Sequence, residues 1–189
     1  MTANQSLDTV GAGIGSADHR RLEPPRVSAE ELASYQDERI IREILHTART
    51  IAIVGLSSNP LRASHFVGFY LKRHGYRIVP VNPNERAVLG ETSYPTLTAI
   101  PFPVDVVDVF RTPEVVPAIA EEAVQIGARV LWLQFGVISP EGAAIARRGG
   151  LQVVMDRCMK IEHGRHMGRM HWLGFNTEVI TARRMGIHE

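Results

Sequence analysis

Gly55, Ser57, Ser58, Asn59, Arg62 and Ser64 crowd one short stretch, and their types suit the holding of a phosphorylated ligand. A glycine lets the backbone approach an anion closely, serine hydroxyls add neutral donors, and arginine supplies a fixed fork of N–H groups. The β-branched run 51–54 precedes the glycine and an amphipathic stretch follows it. That is how a first βα unit turns backbone N–H groups and a helix N-terminus toward phosphate. The spelling of a nicotinamide dinucleotide turn is missing, because Leu56, Ser57, Ser58, Asn59 and Pro60 follow Gly55 without a second or third glycine. Asn82 stands where such a site places an acid, and Glu85 lies beyond Pro83. The residues therefore favour another phosphorylated nucleotide, with an NAD(P)-dependent oxidoreductase as the alternative.

Other polar residues gather at the ends of apolar runs. Phe110 offers a flat face to a purine, and Arg111 a cation to a further phosphate on the ribose. Gln134, Phe135 and Gly136 follow a fourth run, and Asp156, Arg157, Cys158 and Lys160 a fifth. Arg157 and Lys160 would favour the thiolate of Cys158, which could then exchange with a ligand thiol. No base is placed to activate Ser57 or Ser58, so no catalytic residue is assigned. His163, His166 and His171 match no closed metal motif and read as a solvated, basic tail.

The elements that must position these groups alternate. Ser28 and Glu31 spell a capping box, and Ile40, Ile41, Ile44, Leu45 and Ala48 recur at helical spacing, giving an N-terminal helix. Strands are predicted over 51–54, 77–81, 104–110, 130–133 and 151–155. Between them lies a helix with a stripe of Ala63, Phe66, Val67, Tyr70 and Leu71 that ends at His74-Gly75. A second is capped by Thr112, and a third opens at Ser139. This order predicts an α/β fold: a Rossmann-like, doubly wound, parallel five-stranded sheet with helices on both faces. The predicted spatial order is third, second, first, fourth, fifth, with the ligand crevice at the C-terminal strand ends. Residues 1–27 read as a flexible leader, 28–163 as the domain, and 164–189 as a tail that packs on the domain or on a partner.

With 189 residues, 44% of them hydrophobic, the chain can bury one ordinary core. A formal charge of +1 provides no basic field for nucleic acid, and no apolar run is long enough to span a membrane. The single cysteine excludes an internal disulfide framework and fits a cytoplasmic location.

Five segments carry a family likeness: 51–60 with Arg62 and Ser64, 78–83, 104–111, 130–137 and 153–162. Through them the chain resembles the stand-alone CoA-binding domain proteins, related to the nucleotide-binding domain of the succinyl-CoA synthetase α subunit. The resemblance covers about residues 36–163 and implies a Rossmann-type fold that binds coenzyme A or an acyl-CoA. By position it implies that Gly55, Ser57, Ser58, Asn59, Arg62 and Ser64 hold the phosphates. Val81, Asn82 and Pro83 would flank the adenosine, and Phe110 and Arg111 would meet adenine and ribose phosphate. Trp132, Gln134 and Gly136 would lie nearer the pantetheine arm. The chain lacks the synthetase's second domain, with its phosphorylated histidine, and the ATP-grasp partner. The resemblance therefore implies binding without catalysis, the alternative being a subunit of an acyl-CoA ligase that needs a partner chain. A homodimer is also expected.

Overall fold

A computed structural model describes residues 27–167. The leader 1–26 and the segment 168–189, with His171 and most of the expected tail, lie outside the described residues. The helical stretch expected from Ser28 is two helices, α1 (Ala29–Ala33) and α2 (Glu38–Thr47). Ser28 Oγ accepts from Glu31 N at 3.0 Å, as the capping box requires. Asp37 caps the second helix, its carboxylate accepting from Arg39 N at 2.8 Å, a polar start that breaks the chain between the two.

Then follow β1 (Thr50–Val54), α3 (Ala63–Arg73), β2 (Arg77–Val81), a small hairpin of β3 (Ala87–Val88) and β4 (Glu91–Thr92), and β5 (Val106–Val109). The chain continues with α4 (Val116–Gln125), β6 (Val130–Leu133), α5 (Pro140–Arg148), β7 (Gln152–Val154) and α6 (Met159–Met167). Five of the strands form one parallel sheet in the order β2-β1-β5-β6-β7. The expected order is thus corrected. The third parallel strand pairs with the first rather than beyond the second. The chain returning from the hairpin occupies the outer edge of β2, where Tyr94 N donates to Pro80 O and Asn82 N to Tyr94 O, both at 2.9 Å. β5 therefore crosses to the free side of β1. There the Asp105 carboxylate accepts from Arg49 N and Thr50 N, each at 2.9 Å, and fixes the register.

The strands are buried on both faces and read as continuous apolar runs, as parallel strands between helices must. Ala52, Val107, Val109, Leu131 and Leu133 belong to the core beneath α4 and α5. Ile51, Ile53, Val106 and Trp132 face α2, α3 and α6. Two expectations about helix faces are corrected. Phe66 is 55% exposed, because Ser64, Val67, Gly68 and Leu71 carry the buried stripe of α3. His163 and His166 are buried in α6 rather than solvated. His163 Nδ1 lies 3.1 Å from Tyr70 Oη, and its ring meets those of Tyr70, His74 and Tyr76 edge-on. Glu162, itself buried, draws Arg157, Arg165 and His166 around it. Among the described residues no helix is long and apolar enough to cross a membrane.

Candidate functional site

Between β1 and β5 the chain has gone first to one side of the sheet and then to the other, so a crevice opens where their C-terminal ends part. Gly55 forms its floor at φ +86°, donating its N–H to Val81 O at 2.9 Å. A Cβ there would lie 2.8 Å from Phe110 O and 2.9 Å from Arg111 Cδ, so only glycine lets the two strand ends approach this closely.

The turn after Gly55 is held by its own side chains. Ser57 Oγ accepts from Asn59 N at 3.1 Å, Ser64 Oγ from Ser57 N at 3.3 Å, and Asn59 Oδ1 from Leu61 N at 2.9 Å. Glu85 accepts from both Ser58 N and Ser58 Oγ, at 2.9 and 2.8 Å, and those bonds hold its carboxyl below the ordinary value. His65 Nδ1 donates to Ser57 O at 2.9 Å. Asn82 is likewise structural, donating from Nδ2 to Leu56 O and accepting at Oδ1 from Asn84 N. No side chain caps α3, whose first residues, Ala63 and Ser64, border the crevice.

Two lobes share Ala63, Phe110 and Arg111. The polar lobe, about 400 Å³, is lined also by Gly55, Ser57, Arg62, Ser64 and Asn82. The apolar lobe, about 450 Å³, runs past Val67, Pro113, Phe135 and Val137 to Gln134, Gly136 and Cys158. Among the described residues neither Arg62 nor Arg111 is paired with a carboxylate. Two guanidinium groups thus stand ready for an anion beside an unobstructed turn.

Beyond the lining, Gly136 N donates to Asp156 Oδ1 at 2.8 Å, and Asp156 takes φ +56° to reach it. Behind Gln134 lies Asp108, fully buried on β5 and accepting from Gln134 Nε2 at 2.7 Å. Loss of hydration pushes its carboxyl up to about 7. The expected activation of Cys158 is reversed. Burial raises its thiol, and the nearby Asp108 charge adds to that. Arg157 is turned to the Gln36 amide and Glu162 instead.

Most of the residues singled out in the sequence meet at these lobes. Ser58, Asn59, Val81, Pro83 and Trp132 line neither. Ser58 and Asn59 shape the turn, Val81 is buried in the sheet, and Trp132 is enclosed, donating from Nε1 to Arg157 O. Missed by sequence reasoning were Val67, Pro113 and Val137 as lining residues, and the supports Glu85, His65 and Asp108. The Asp108 carboxylate inside the apolar run 106–110 was the one legible signal among them.

A family model described as a CoA binding domain matches residues 49–164, which takes in every residue of both lobes. The chain belongs to the CoA-binding domain family. Its relatives include the Bacillus subtilis protein YneT, 41% identical over 123 residues that make up 65% of this chain and 91% of YneT. A solved hypothetical protein from Pyrococcus horikoshii OT3 is 40% identical, with a TM-score of 0.68 over 69% of this chain and 92% of that one. The ADP-forming acetate–CoA ligase II of Archaeoglobus fulgidus is 28% identical over half of this chain, but only 14% of the ligase is matched. In this CoA-binding domain, as in any parallel sheet of the kind, strand ends rather than strand interiors supply the polar groups. Among the described residues no group of three or more His, Cys, Asp or Glu could hold a metal ion.

Proposed function

We propose that this protein binds coenzyme A or an acyl-CoA across the two lobes, without catalysis of its own. The diphosphate lies over Gly55 and Ser57 with Arg62 at its side, adenine rests on Phe110, and Arg111 meets the ribose phosphate. The pantetheine arm enters the apolar lobe toward Cys158. The observation that carries this reading is the junction itself. A polar lobe with a glycine turn and two arginines that are unpaired among the described residues borders an apolar channel of similar size, which matches a ligand with an anionic half and an uncharged arm.

Asn82 speaks against a nicotinamide dinucleotide, because its amide is spent on Leu56 and Asn84 and no acid replaces it. The match to part of an acetate–CoA ligase supports a second reading, a subunit that meets its catalytic partner in another chain. A cytoplasmic location, suggested by the lone cysteine, and a homodimer through the exposed Phe66 and Phe69 on α3 complete the proposal. Isothermal titration with CoA, acetyl-CoA, NAD and NADP tests it. Binding of CoA and acetyl-CoA alone is expected, and binding of NAD without CoA overturns it.

A further inference from the structure

We infer that Asp108 is a positioning residue that makes the apolar lobe select an arm bearing amide N–H groups, by fixing the side-chain amide of Gln134 with its oxygen toward the ligand. The inference rests on the CoA reading and extends it to the choice of arm.

The geometry runs outward from the sheet. Asp108 sits on β5 opposite Ile53 and Trp132, in the layer facing α3 and α6. A carboxylate in that apolar layer is costly unless it has work to do. Its Oδ1 takes an N–H from Gln134 Nε2 at 2.7 Å, and a carboxylate can only accept, so the nitrogen of Gln134 must face inward. A proton on Oδ2, which is sealed from solvent without a partner, leaves Oδ1 able to accept the same bond. The orientation therefore holds for the ionised carboxylate and for the acid protonated on Oδ2.

Gln134 Oε1 has no partner among the described residues, yet it is not one of the sealed atoms. It opens into the lobe that Gln134 lines. Otherwise the lobe's side chains are largely apolar, Val67, Pro113, Phe135 and Val137 among them, so an oriented acceptor gives it direction. An arm with amide N–H groups satisfies that oxygen. A hydrocarbon arm leaves it unpaired.

The test titrates wild type, Asp108→Leu, Asp108→Asn, Gln134→Leu and the double leucine variant with CoA and with adenosine 3′,5′-bisphosphate, which lacks the arm. Leucine fills the Asp108 site with an apolar side chain, and thermal melts report whether each variant is folded. Asp108→Leu is expected to weaken CoA about five- to tenfold, the value of one lost hydrogen bond, and to leave the bisphosphate unchanged. Asp108→Asn can donate as well as accept, so it pairs with Gln134 in either orientation and is expected to lose CoA affinity, though less than Asp108→Leu. Gln134→Leu loses as much as Asp108→Leu, and the double variant loses no more, since Asp108 acts only through Gln134. Wild-type CoA affinity in Asp108→Leu, equal loss of both ligands, or additive losses overturn the inference. A wild-type protein that binds the bisphosphate no less tightly than CoA also overturns it, because the lobe is then unused. Failure of wild type to bind either ligand defeats the CoA reading itself.

Discussion

Replacing Gly55 by alanine separates two effects that a glycine can conceal, backbone conformation and close approach. Gly55 has φ +86° and Gly75 φ +90°, so alanine meets the same left-handed backbone at both, costing about 1–2 kcal/mol. At Gly75 a Cβ has nothing within 4 Å, whereas at Gly55 it lies 2.8 Å from Phe110 O. That oxygen belongs to the backbone, just after Phe110 N has bonded to Val54 O at 2.9 Å, so it yields only if the end of β5 moves. Overpacking of that kind costs about 1–3 kcal/mol. Urea denaturation should therefore show Gly55→Ala less stable than Gly75→Ala by that amount. A shift of β5 also carries Phe110 and Arg111 away from the turn, so CoA affinity should fall at least about tenfold in Gly55→Ala and stay at the wild-type level in Gly75→Ala. Equal stability of the two variants would refute the close-approach argument, and unchanged affinity in Gly55→Ala would detach the turn from the ligand.

Arg62→Ala should weaken CoA by about 1.5–3 kcal/mol, as loss of a charged hydrogen bond does, and titration showing an unaltered Kd removes Arg62 from the site. Glu85→Gln keeps an oxygen for Ser58 while removing a negative charge beside the anion, so CoA should bind more tightly at low salt. Glu85→Ala also releases the turn and should bind more weakly than Glu85→Gln, and equal affinities would mean that the anchor is idle. His163, buried against His74, has its pKa lowered from 6.5 to about 4, so the unfolded chain takes up a proton before the folded one does. Stability should therefore fall as pH drops from 6.5 toward 4. His163→Gln, which cannot be protonated there, should lose less over that window; parallel curves in denaturation at stepped pH would refute the assignment.

Local order was legible in the sequence where one element decides its own fate. The β-branched run 51–54 and the run 130–133 declare buried strands without help, and Ser28 and Ser139 cap the helices they precede. Strand order was not legible. It depends on Tyr94 taking the edge of β2, a contact between distant residues that no local pattern announces. At the site, the residue types at strand ends pointed to the crevice. The direction of each side chain did not follow from type, because Trp132 is sealed inside while Gln134, two residues on, reaches the apolar lobe. His163 and His166 looked like tail because their neighbours are charged. His166 is buried where Glu162 collects the nearby cations, and His163 where Tyr70, His74 and Tyr76 surround it, contacts visible only once α6 lies against α2 and α3.

The same Tyr94 contact has a bearing on how copies of this molecule can meet. The outer C=O of Pro80 in β2 and the N–H of Asn82 just beyond it are already engaged, and the opposite margin of the sheet, β7, offers only three residues. A sheet blunted at both margins gives a second chain little ladder to extend, so continuous growth by strand addition is discouraged. Among the described residues, the helical flanks are then left as the broader surfaces through which copies could meet.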